Sequence, residues 1–276
     1  MSKRFPPIPR FVTPLQDENC YSILSRCMVY AAMPTSKLCL ELFGRRRVLS
    51  NFLWQSFRPE DMAQWFDDDK ERTAEYLREH SCVPYRISFV EKRTQVYLND
   101  WHDGEPLSNG HYKRVTRMLG YKCWKKEYLF YCPECVRTDR DEYGETYWHM
   151  TAQLPGVTVC PVHMEPLMQS DLKVKDTKYE LHPAEYCIPK SCKAGKEKIS
   201  YDDLQIARDS KWMMENGWKN KDHDLPDLVK GLSTWDYEMA EATVKRYSTQ
   251  SNAKTETLYY ILLAKAHGES ISTFMR

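Results

Sequence analysis

Apolar residues recur every three to four positions along the first part of the chain, and breakers divide that run into helices. After Asp17, the spacing of Tyr21, Leu24, Cys27 or Met28 and Ala31 predicts an amphipathic helix over residues 18–32, which Pro34 ends. Thr35 or Ser36 can cap a second, short helix that carries Leu38, Leu42 and Phe43 and closes at Gly44, just before Arg45, Arg46 and Arg47. Two helices with a tight join have the form of a helix-turn-helix, in which the later helix enters the major groove and nearby arginines reach phosphate or guanine. The same pattern fits a packed hairpin or a protein-docking surface, and the sequence leaves these open. Pro59, followed by Glu60 and Asp61, starts a further helical stretch to residue 79, with Met62, Trp65, Phe66, Tyr76 and Leu77 on its apolar stripe. Asp67, Asp68 and Asp69 point different ways on such a helix and read as solvated. Phe89 to Trp101 resumes a helical pattern, and the polar, turn-rich Gly104 to Gly110 reads as a linker.

The pattern then changes period. Leu129-Phe130-Tyr131 and Thr158-Val159 predict short strands, each leading into a pair of soft metal ligands: Cys132-Pro133-Glu134-Cys135 and Cys160-Pro161-Val162-His163. Two CxxC/CxxH knuckles supply three thiols and one imidazole, a complete tetrahedral shell for zinc. Four protein ligands leave no position for water or substrate, so the site is expected to be structural. A ribbon this small buries too little apolar surface to fold unaided, and metal binding should supply much of its folding free energy. Tyr143, Tyr147, Trp148 and Leu154 are expected to pack around the knuckles, with Gly144 and Gly156 in tight turns. His182, Cys187 and Cys192 are too few and too loosely spaced for a good second metal site, and read as a buried histidine and ordinary thiols. Farther on, periodicity predicts helices over residues 210–216, 226–230, 233–247 and 254–267, the last carrying Leu258, Ile261 and Leu262.

The residues around the knuckles carry a resemblance. Tyr131-Cys132-Pro133-Glu134-Cys135, then Tyr143-Gly144-Glu145-Thr146-Tyr147-Trp148-His149, then Gln153-Leu154-Pro155-Gly156-Val157-Thr158-Val159-Cys160-Pro161-Val162-His163 and Leu167 resemble the signature of the TniQ/TnsD family of transposon target-site selection proteins. Pro14-Leu15 through Tyr21-Ser22-Ile23-Leu24-Ser25-Arg26, Glu41-Leu42-Phe43-Gly44, Glu79-His80-Ser81-Cys82-Val83-Pro84-Tyr85 and Ala207-Arg208-Asp209-Ser210-Lys211-Trp212 are similar to the TnsD branch in particular. The resemblance covers roughly residues 5–215. Members that read a fixed attachment site continue into a long DNA-reading arm, so the chain reads either as a short adaptor or as a truncated one. The implied fold is mainly α with a small zinc-ribbon β element. It divides into an extended arm over 1–13, a helix-turn-helix-like helical domain over 14–110, a zinc-binding TniQ module over 111–200 and C-terminal helices over 201–276. The implied function is to mark double-stranded target DNA and recruit the AAA+ ATPase TnsC, which brings in the transposase. The alternative is a protein-only bridge between a guide-RNA-bearing CRISPR effector complex and TnsC. Self-association into a dimer is left open.

Composition narrows this picture in a few places. No long apolar run predicts a membrane span, and Phe5-Pro6-Pro7-Ile8-Pro9-Arg10 cannot form the apolar helix of a secretory signal, so a cytoplasmic protein is expected. A proline-spaced arm is the better reading, with Phe5, Ile8 and Phe11 as candidate partner-docking residues. Ten cysteines in a chain of this length, four of the soft ligands paired at metal spacing, point to a reducing compartment rather than a disulfide framework. The net charge of +1 excludes a surface that is basic throughout, but charge is unevenly spread. Between Lys113 and Lys126, six basic residues (Lys113, Arg114, Arg117, Lys122, Lys125, Lys126) interleave with Tyr121 and Trp124 and no acid. With Arg45–Arg47 they are the candidate DNA contacts, and Lys190, Lys193, Lys196 and Lys198 form another basic stretch. A solvated face or a surface for an acidic partner accounts for each equally well. There is no GxxxxGK[ST], HExxH or GxSxG, hence no catalytic residues are assigned and a non-enzymatic role is expected.

Overall fold

A computed structural model describes residues 11–55, 57, 61–62, 65, 70–87, 126–154, 156–192, 195 and 199–216. Outside them lie Phe5 and Ile8, the Asp67–Asp69 run, the expected helix at 89–101, the linker at 104–110, Lys113, Arg114, Arg117, Lys122 and Lys125, Lys193, Lys196 and Lys198, and the helices expected beyond residue 216.

Helix α1 spans Cys20–Tyr30, capped by Asn19, whose Oδ1 accepts from the Ser22 amide at 2.8 Å. Every residue from Cys20 to Cys27 is buried. The amphipathic helix expected here is therefore a central helix, and its polar residues face partners rather than water. Ser25 Oγ donates to the Tyr21 carbonyl, Ser22 Oγ accepts from the Trp148 amide, and Arg26 pairs with Glu18 and Glu145. Helix α2, Thr35–Phe43, follows Pro34 and ends at Gly44 with φ +65°, the left-handed stop expected of that glycine. Its Leu38, Cys39, Leu42 and Phe43 are buried, while Lys37, Leu40, Glu41, Arg45 and Arg46 are exposed.

After a 3-10 turn at Leu49–Leu53 come α3, Lys70–Glu79, and α4, Val83–Ile87. Phe43, Phe52, Phe57, Trp65 and Tyr76 form an aromatic cluster against these elements, and Phe11 belongs to it. Its ring lies 5.5 Å from Trp65 and 6.4 Å from both Phe57 and Tyr76. Phe11, a candidate docking residue, thus packs one part of its ring against the cluster and is only partly covered.

Among the described residues, the second half is built on one antiparallel pair. Strand β1, Tyr128–Tyr131, pairs with β2, Met168–Lys173, through Phe130↔Gln169 and Tyr131↔Met168, with an irregularity before Phe130. Between them lie α5, Pro133–Tyr143, and the single turn α6, Met150–Gln153. Thr158-Val159, expected as a strand, contributes only the isolated bridge Val159↔Pro166. A short helix α7, Ala184–Cys187, and the longer α8, Tyr201–Asn216, complete the described chain. One apolar core runs through both halves, from Tyr21 and Leu24 of α1 to Trp148, Leu154 and Val157 beside the knuckles.

Candidate metal centre

Strand β1 delivers Cys132 to the N-cap of α5, where Pro133 occupies the first helical position and Cys135 lies within the first turn. The second knuckle is a tight turn. The Cys160 amide donates to the Glu165 carbonyl at 2.8 Å, the Met164 amide donates back to the Cys160 carbonyl at 2.9 Å, and Met164 takes φ +56°. The two turns bring the ligand atoms of Cys132, Cys135, Cys160 and His163 within 4.8 Å of one another.

The separations test the fit to a metal. His163 Nδ1 lies 3.6, 3.3 and 3.7 Å from the sulfurs of Cys132, Cys135 and Cys160, and the Cys135 and Cys160 sulfurs are 3.7 Å apart. A tetrahedral ion with bonds of about 2.3 Å to sulfur and about 2.0 Å to nitrogen has edges of about 3.5–3.8 Å. The four residues fit such an ion. Their protonation agrees: a hydrogen bond from Cys135 favours the Cys132 thiolate, but Cys160 and burial outweigh it and push Cys132 up to about 12. Cys135, sharing protons with Cys132 and Cys160, is also pushed up, while Cys160, which accepts from both, is held well below the usual thiol range. Thiols packed this closely resist ionising together, and a dication favours the thiolates it binds. The cluster can hold a metal ion. Among the described residues His182, Cys187 and Cys192 join no such group; Cys192 Sγ instead donates to the Pro189 carbonyl.

Outward from the ligands, α5 carries two residues that sequence reasoning missed. Asp139 accepts from Thr146 Oγ1 at 2.8 Å and from His149 Nε2 at 3.0 Å. Arg140 reaches Glu185 at 2.9 Å and donates to the carbonyls of Ile188, Pro189 and Lys190. Asp139 lies one helical turn after Cys135, a spacing legible in the sequence. His149 also faces Asp17, with Nδ1 3.6 Å from Oδ2, and stacks on Tyr147 at 4.2 Å. Burial opposes the charged ring, but the hydrogen bond to Asp139 and the nearby Asp17 carboxylate more than offset it and raise His149 to about 10. It is an imidazolium at neutral pH.

The other expected packing residues divide. Tyr147, Trp148 and Leu154 are buried, whereas Tyr143 is 41% exposed. Two candidate DNA contacts are used internally. Arg47 pairs with Asp61 at 2.6 Å and lies over the Phe43 ring at 5.0 Å. Lys126 turns its ammonium inward, donating to the carbonyls of Ala152 and Val157, each at 2.7 Å, over the Phe130 ring. Lys126, a candidate phosphate contact, here clasps the carbonyls of Ala152 and Val157, so its ammonium is already satisfied within the protein. Arg45 and Arg46 stay exposed on the end of α2.

The TniQ family pattern matches residues 9–167, more than half of the chain and all four ligands. The chain belongs to the TniQ family. This TniQ-family chain is also 27% identical over 157 residues to the transposon Tn7 transposition protein TnsD of Escherichia coli. That alignment takes in 55% of this chain and 30% of the relative, so the chain spans under a third of the relative's length. The matched region includes Asp17, Arg26, Asp139, Glu145 and His149 as well as the ligands. No helix among the described residues is long and apolar enough to cross a membrane.

Proposed function

We propose that this protein is a transposition target-site selector: it holds a structural zinc at Cys132, Cys135, Cys160 and His163, engages double-stranded target DNA, and recruits the AAA+ ATPase TnsC. The observation that carries this reading is the coincidence of the TniQ match with a Cys3His cluster at tetrahedral spacing. Membership supports the targeting role, and the relative's name ties its own activity to Tn7 transposition. Four protein ligands close the metal's shell, so the ion organises the fold and turns over no substrate. DNA contact is assigned to α2 and the arginines after it. Lys37, Arg45 and Arg46 are exposed there, and a short helix ending in basic residues can lie along a groove with its arginines on phosphate.

A second reading is a protein-only bridge to an RNA-guided CRISPR effector complex. Its support is that Lys126 and Arg47, two of the basic candidates, are consumed inside the protein. One experiment separates the two. Zinc-loaded protein, its metal content verified, is mixed with the ATPase and ATP with and without duplex DNA. Capture of the ATPase that depends on DNA supports the selector; capture without affinity for bare DNA supports the bridge. A fully metal-loaded chain that binds neither overturns the assignment.

A further inference from the structure

The helix pair α1–α2 and the metal knuckles are far apart in sequence, yet two chains of polar contacts join them, and both start on α5. The first begins at Asp139, one turn from the ligand Cys135. Asp139 holds His149, and His149 faces Asp17. Asp17 in turn accepts from the amide and hydroxyl of Thr151, and its carbonyl accepts from the Met150 amide at 2.6 Å. Two residues on, Asn19 caps α1 while its amide donates to the Trp148 carbonyl, and the Trp148 amide donates to Ser22 Oγ. The second begins at Arg140, which grips residues 185–190. The segment just before them holds both helices. The Tyr21 hydroxyl donates to the Glu180 carbonyl and accepts from the His182 amide, and the Leu181 amide donates to Thr35 Oγ1 at the start of α2. Trp148 Nε1 closes the circuit on the His182 carbonyl at 2.9 Å.

We infer that His149 and Arg140 are positioning residues that make the placement of α1 and α2 depend on the metal knuckle. Buried polar groups keep their partners because losing one leaves a desolvated group unsatisfied. A shift of α5 therefore cannot be absorbed locally; it must move Asp17 and the 180–182 segment, and with them the first turns of both helices. By reciprocity, whatever order the ion lends the junction the intact junction returns as metal affinity, so loosening the junction must weaken metal binding. The surface that α2 offers thus exists in its native geometry only while the knuckle is intact. This holds whether that surface meets DNA or protein, so it stands apart from the functional reading above.

Amide hydrogen exchange on the intact chain, followed at α1 and α5 separately, tests it. His149→Gln removes the doubly paired ring, and Asp17→Asn removes only the charge, since asparagine tolerates the φ of +59° at this position as aspartate does. With one zinc per chain verified, α1 amides should exchange about tenfold faster in His149→Gln and by a smaller factor in Asp17→Asn, while α5 amides stay protected. Competition with a chromogenic chelator should show weaker zinc affinity in the same order. Acceleration of α1 and α5 by the same factor would mean a general loss of stability and would overturn the inference. So would unchanged α1 exchange together with unchanged zinc affinity. Should His149→Gln fail to fold, Asp17→Asn alone carries the decision by the same two readouts.

Discussion

Lys126 and His149 are half-buried basic groups whose environments push them in opposite directions. Burial lowers Lys126 to about 7, whereas a hydrogen bond to Asp139 and the charge of Asp17 raise His149 to about 10 despite burial. Stability rises with pH wherever the unfolded chain binds more protons. For Lys126 that window runs from about 7 up to its ordinary value of 10.5, so the lysine makes the fold more stable as pH rises through it. For His149 the folded state binds more protons between 6.5 and about 10, so its stabilisation is full below 6.5 and fades as pH rises. The slopes oppose each other over a shared window. Lys126→Met should therefore unmask a steady loss of stability between pH 7 and 10, and His149→Gln a gain, both read from urea midpoints of zinc-loaded protein. Equal pH slopes in the two variants would refute this account. At neutral pH Lys126→Met should also cost about 1–3 kcal/mol by stranding the Ala152 and Val157 carbonyls.

Among the elements, those bounded by chemical punctuation were legible. Pro34 and Gly44 mark the limits of α2, and the structure keeps them. Helix α5 carries the same marks, Pro133 at its start and Gly144 at φ +79° after its end, but the expectation of a zinc ribbon hid them. Strand β2 was invisible because Met168-Gln169-Ser170-Asp171-Leu172-Lys173 is polar for a strand. It forms because β1 offers a partner edge and Ser170 Oγ satisfies the Leu129 carbonyl. The four residues of the Cys3His cluster were legible from spacing alone, whereas Asp17, Arg26 and Glu145 were not, since nothing local signals an ion pair across more than a hundred residues. A glycine stop predicts its own test. Gly144→Ala meets no atom within 4 Å of the added carbon, so only backbone strain opposes it. It should cost roughly 1 kcal/mol, measured by chemical denaturation. Phe11→Ala should cost roughly 2 kcal/mol, less than a fully buried ring, since Phe11 is only partly covered. A Phe11→Ala chain of unchanged stability but lost ATPase capture would instead support the docking role.

For the molecule as a whole, the question is which face meets nucleic acid, and net charge cannot answer it at +1. The exposed end of α2 gives a definite expectation. Each phosphate contact adds about 0.9 to the slope of log affinity against log salt on duplex DNA. If Arg45 and Arg46 each neutralise one phosphate, the Arg45→Ala/Arg46→Ala double variant should flatten that slope by roughly 1.8 and weaken binding alike on every sequence, the mark of backbone rather than base contact. Neither side chain has an ion pair among the described residues, and both are exposed, so the fold should tolerate the change and zinc content should hold. Arg47→Ala differs: it breaks the pair with Asp61 and the contact over Phe43, so it should lower stability while leaving the salt slope nearly intact. Fluorescence anisotropy on a short duplex across a salt series measures all three proteins. If the wild type itself has no slope because it does not bind bare duplex, α2 is a protein-facing helix and the bridge reading prevails.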